Sequence, residues 1–222
     1  MARLFLWLSL LFVISPLFAQ ELTKQEQENW FNAPADPSAA DVNEGELNFL
    51  AAPPAKRVHH HENRLTIDDQ TVLNGWAELR QCHSNLDKVP ATQIVFRKDR
   101  VSDLRIVSHT GIDEAWIEGS TVQLRQVHEN AKICVALKSK VLYKQPDGDL
   151  YITNGPFMRK FLDGYYPMHV SMDVIVKTKK LHFIDITPAR QTGFKVSITP
   201  SLVTFDAWFE GRLNTLLRFR AI

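Results

Sequence analysis

The chain is predicted to fold as an all-β domain, a single β-sandwich or partly open barrel of about ten strands, behind a signal peptide and an extended N-terminal arm. Three observations carry this. From residue 58 onward the sequence breaks into short segments of alternating apolar and polar residues. Gly, Pro, Asn and Asp punctuate those segments. Nowhere does a helical apolar period run for the ~10–15 residues of an ordinary helix.

Residues 1–19 have the three parts of a secretory signal. Arg3 and the terminal amine supply positive charge, residues 4–14 are apolar apart from Ser9, and Pro16 breaks the run before Leu17-Phe18-Ala19. The apolar stretch is shorter than the ~20 residues a spanning helix needs, and polar Gln20-Glu21 follow it directly. No Cys lies beside the cleavage edge to accept a lipid. The expected destination is the bacterial periplasm, with full secretion as the alternative.

The whole chain carries 26 Lys and Arg against 25 Asp and Glu. Arg3 leaves with the signal, which balances the remainder and argues against a nucleic-acid or polyanion binder driven by bulk charge. No later segment is apolar enough to span a membrane as a helix, so the exported chain is read as not membrane-spanning.

Residues 20–56 are read as an arm or linker: acidic, rich in Pro and Ala, and without sustained alternation. Trp30-Phe31 and Phe49-Leu50 interrupt it as aromatic anchors. Docking onto the chain's own domain is the preferred role for them, gripping a partner the other.

Residues 57–222 are assigned to the β domain. Strands are expected at residues 64–67, 75–83, 91–98, 101–108, 112–127, 131–144 and 150–153, with Gln145-Pro146-Asp147-Gly148-Asp149 as a hairpin turn. Met168, Val170, Met172, Val174 and Val176 make the cleanest period-two run, followed by residues 181–187, 193–199 and a long segment at 202–220. Residues 157–162 are predicted to form one helical turn.

Cys82 and Cys134 are the two cysteines, and export makes a disulfide between them the expected state. Each lies on the more polar face of its strand. In the chain-entropy view, closing a loop of this size adds about 4 kcal/mol.

His59-His60-His61 is the candidate metal motif. On a strand, His59 and His61 share a face, and antiparallel pairing through residues 68–74 brings His83 towards them. Such a trio suits copper or zinc. The competing reading is a solvated polar strand start, and no other cofactor is expected.

The segment 155–167 concentrates Gly and Pro with aromatics and two bases. Arg159, Lys160 and Tyr165 are the residues assigned to partner contact, while Phe157, Phe161 and Leu162 are predicted to plug one end of the core. Arg212, Arg218 and Arg220 are read as the charged face of a solvated edge strand. Trp76, Trp116 and Trp208 could form a sugar-stacking platform, but such residues more often belong to core or sheet surface.

Enzyme motifs are missing from the sequence. His61-Glu62 and His128-Glu129 begin like a zinc-protease motif, but Leu65 and Lys132 stand where its second His belongs. The expectation is therefore a non-enzymatic accessory module binding an envelope protein or component through Trp30, Phe49, Arg159, Lys160 and Tyr165. A copper- or zinc-binding protein is the alternative. A hydrolase of envelope polymers, with no residues assigned, is the third.

Overall fold

Alternation decides which face of a half-buried strand is inside. In the computed structural model it is cleanest at Met168–Val176 and Leu202–Glu210, and the described residues form fifteen strands. The structure describes residues 43–222 apart from Asp163. The predicted signal peptide, the first part of the arm and Trp30 lie outside the described residues.

In chain order the elements are β1 (Asn48–Phe49), β2 (His60–Ile67), α1 (Asp69–Asn74), β3 (Trp76–Leu86), β4 (Val89–Val95), β5 (Val101–Glu118), β6 (Thr121–Lys140) and β7 (Leu142–Lys144). There follow β8 (Leu150–Phe157), β9 (Arg159–Phe161), β10 (Gly164–Tyr166), β11 (Met168–Val176), β12 (Leu181–Thr187), β13 (Phe194–Thr199), β14 (Leu202–Glu210) and β15 (Leu213–Ala221).

Most strands join one large sheet in the order β1-β14-β11-β2-β3-β6-β4, with β13 beside β14 and β5 beside β6. A second sheet runs β12-β15-β8-β7, and β9 and β10 form a separate two-stranded ribbon. β2 and β11 pair in parallel, although the chain segment between them spans most of the domain.

The main core lies between the two sheets. Leu65, Val170, Met172, Val174, Phe205 and Phe209 from the large sheet meet Ile152, Leu217 and Phe219 from the smaller one. A second apolar cluster gathers Ile112, Val122, Leu124, Ile133 and Val135 along β5 and β6.

α1 closes the β2–β3 connection with a capping box. Asp68 accepts from the Thr71 backbone N–H at 2.8 Å, and the Thr71 hydroxyl accepts from the Asp68 N–H at 3.2 Å. The resulting antiparallel register makes His61 and His83 Cα partners. Cys82 and Cys134 are Cα partners across β3 and β6, 4.1 Å apart, and form the disulfide.

Four expectations are corrected. The strand predicted at residues 112–127 turns back at Gly119, whose φ is +59°, while β6 runs on through a bulge at Asn130, where φ is +60°. The long terminal segment divides at Gly211 into β14 and β15. Residues 157–162 are extended, because β9 and β10 satisfy each other's backbone groups in place of a helical turn. Finally, β15 lies between β12 and β8 and is no edge strand. Its Arg218 is paired with Asp185, and Arg220 with Asp149 at 3.5 Å.

The end of the predicted arm is integrated into this architecture. β1 pairs with β14, and Phe49 packs against Phe194 with ring centres 5.3 Å apart. No helix among the described residues is long and apolar enough to cross a membrane.

Candidate functional site

The residues singled out in the segment 155–167 separate into two groups. Phe157 enters the main core at 8 % exposure, as predicted for a plug. Phe161 and Leu162 do not, because the β9–β10 ribbon leaves both sheets. Leu162 is fully exposed, and Met158 and Phe161 are each 43 % exposed.

The base of this ribbon is firmly held. Arg159 pairs with Asp87 at 2.7 Å, and its guanidinium lies 5.0 Å from the centre of Phe161. Tyr165 is 5 % exposed; its hydroxyl accepts from Arg212 Nε at 2.7 Å, and its backbone N–H donates to Asn43. Phe161 and Tyr166 meet edge to face at 5.4 Å. Arg159 and Tyr165 thus anchor the ribbon, and Lys160 lies over the Tyr165 ring. Met158, Phe161 and Leu162 are the apolar side chains of this segment that stay exposed. For Phe161 and Leu162 the available sequence signal was their place just before Asp163-Gly164.

His59, His61 and His83 do come together, on the inner face at one end of the large sheet. His59 Nε2 and His83 Nδ1 are hydrogen-bonded at 2.9 Å, and the His61 and His83 rings are 4.3 Å apart. Phe157 meets His61 edge-on at 5.1 Å. Burial strips water from all three imidazoles and holds them uncharged: His59 is pushed down to about 4, His61 to about 3, and His83 well below its ordinary value. Nearby His59 adds to the effect at His61, whereas Asp87 partly opposes it at His59.

Gln81 contacts His61 through its side-chain amide. Gln81 Oε1 and His83 Nε2 are buried without a hydrogen-bond partner. Among the described residues, no group of three or more His, Cys, Asp or Glu has its donors arranged to hold a metal ion. His59 Nε2 and His83 Nδ1 face each other, and His61 Nε2 faces Gln81.

The outer face of the same sheet carries a ring ladder that sequence reasoning missed. His60, His169 and Trp208 are neighbours across β2, β11 and β14, stacked at 3.8 and 3.9 Å. Asp206 pairs with His169 at 2.7 Å, and Ser171 with His60 at 2.7 Å. Burial lowers the His60 pKa, helped by His169. Trp76 stands at the far end of β3 from this ladder, about 27 Å away along the strand, and Trp116 lies under Arg125 at 5.3 Å. The three tryptophans form no common platform.

No family model matches the chain, and no curated protein matches it. Among solved structures, it is similar to a mutant of a two-domain M1 zinc metallopeptidase bound to L-tryptophan, with 10 % identity over 81 % of this chain and a TM-score of 0.37. A mutant M1 zinc metallopeptidase from Deinococcus radiodurans gives 9 % identity over 79 % of this chain and a TM-score of 0.35. The chain spans 44 % and 43 % of those proteins. Superpositions this loose carry no argument about fold or activity.

Proposed function

We propose that the chain is an exported, non-enzymatic binding module of the bacterial periplasm, gripping an envelope protein with the tip of the β9–β10 ribbon. The observation carrying this reading is the contrast between tip and base. Phe161 and Leu162 are left exposed at the tip of a ribbon whose base is fastened by Arg159–Asp87 and Tyr165–Arg212. Exposed apolar side chains add little to folding, but on a pre-organised support they bind with less loss of conformational entropy. A few such anchors carry most of the energy of a small interface. The periplasmic location rests on the N-terminal sequence and agrees with the use of a disulfide.

The test is co-purification from cross-linked envelopes with a Phe161→Ser/Leu162→Ser variant. The variant should keep its thermal midpoint and lose its partner at least tenfold. Equal recovery of the partner would refute the assignment of the tip.

A second reading is favoured by one observation: His59, His61 and His83 are in mutual contact and uncharged, the protonation state that copper or zinc requires of imidazole. Binding would need the rings to turn their nitrogens towards a shared ion. Metal analysis of protein isolated without chelator or affinity tag decides this. Stoichiometric copper or zinc that disappears in a triple Ala variant at these positions supports it, and metal-free protein refutes it.

A further inference from the structure

The outer face of the large sheet holds a row of arginines that register alone creates. Arg64 is opposite Arg80, Arg80 opposite Ala136, and Ala136 opposite Arg105. The row crosses β2, β3, β6 and β5 at one level. Like charges directly opposite one another weaken a sheet, and no acid is interposed here. The small Ala136 side chain leaves a trough of about 570 Å³, walled by Arg64, Arg80, Arg105 and Lys138, with Glu78 and Asp103 at one end.

Two of the four bases are already engaged. Arg64 pairs with Asp173 at 3.1 Å, and Lys138 with Asp103 at 3.0 Å. The guanidiniums of Arg80 and Arg105 have neither a hydrogen bond nor an ion pair with any described residue. Two strand spacings put their Cα atoms about 10 Å apart, so guanidiniums reaching inward from either side can close on one small anion above Ala136. Planar guanidinium forks match the oxygens of a phosphate and hold it with charge-assisted hydrogen bonds. Neutral overall charge does not oppose this, since the attraction is local.

We propose that this trough is a binding site for a phosphate-type oxoanion, held between Arg80 and Arg105. The site is independent of the β9–β10 ribbon and goes beyond the function proposed above. Free phosphates and lipid headgroups offer the same chemistry, so the experiment separates them.

Inorganic pyrophosphate is titrated calorimetrically into the full exported chain at low ionic strength, where exposed charges are least screened. In parallel, co-sedimentation is measured with phosphatidylglycerol vesicles and with phosphatidylcholine vesicles. Saturable pyrophosphate binding, weakened at least tenfold in Arg80→Ala/Arg105→Ala but unchanged in Arg125→Ala, is the expected result. Arg80→Lys/Arg105→Lys, which keeps charge but loses the fork, should fall between. Sedimentation with phosphatidylglycerol alone, competed by pyrophosphate, identifies a headgroup; pyrophosphate binding without sedimentation identifies a soluble phosphate. The proposal is overturned if neither probe binds saturably, or if binding is indifferent to the Arg80→Ala/Arg105→Ala change. These side chains are exposed, so their replacement leaves folding intact, which the thermal midpoint verifies.

Discussion

His61 and His83 are Cα partners across β2 and β3, and their rings lie 4.3 Å apart on the inner face of the large sheet. Neither carries charge near neutral pH, because burial opposes protonation of both.

That arrangement makes the fold acid-sensitive in a defined window. Unfolded imidazole titrates near 6.5, whereas His59 and His61 titrate at about 4 and about 3 in the fold. Between those values the unfolded chain binds protons that the folded chain refuses, so stability falls as pH drops from about 6.5 towards 4. Above about 6.5 these groups contribute no slope. Asp68, Asp99 and Asp185, whose pKa values are lowered, lose their contributions only below the ordinary carboxylate range. Denaturant midpoints measured from pH 7.5 to 4.5 should decline, and His61→Gln should flatten the decline whatever its effect at pH 7.5. An equal slope in the variant would contradict this.

The Cys82–Cys134 bridge joins directly paired residues where β3 meets β6, and both cysteines are buried. Cys82→Ala/Cys134→Ala should lower unfolding free energy by about 2–4 kcal/mol. Non-reducing peptide mapping should recover the two cysteines in one linked fragment. Free thiols at both positions would contradict the pairing.

Two glycines test how the segment preceding β1 is clamped. Gly211 and Gly148 both have positive φ, +86° and +95°. A Cβ at Gly211 would come within 1.9 Å of the Glu46 carbonyl oxygen, whereas at Gly148 it would meet nothing. Gly148→Ala should therefore cost only the left-handed backbone penalty, about 1–2 kcal/mol. Gly211→Ala should cost clearly more and raise proteolysis within residues 43–50. Equal losses in the two variants would contradict the clamp.

How much of this was legible depended on how far apart in sequence the partners lie. Met168 to Val176 announces a strand by period alone, and β2 and β3 are joined by one short connection, so the approach of His61 to His83 could be read. The stacking of His60 on His169 could not, because it needs parallel pairing across more than a hundred residues. The arginine row was hidden for another reason. β5 shifts register against β6 at three places, and each one-residue slip exchanges inward and outward side chains. Phe161 and Leu162 were misassigned to the core because apolar spacing does not reveal whether a ribbon folds back or stands clear.

The most direct test of the binding-module reading is site-specific photocrosslinking in intact cells. A photoreactive residue is placed at Leu162 on the ribbon tip, and separately at Leu73 and Ile198, which are also exposed apolar positions, 73 % and 54 % accessible. A discrete adduct to one envelope protein from Leu162, absent from Leu73 and Ile198, is the predicted result. No adduct at Leu162, or the same adducts from all three positions, would contradict the account.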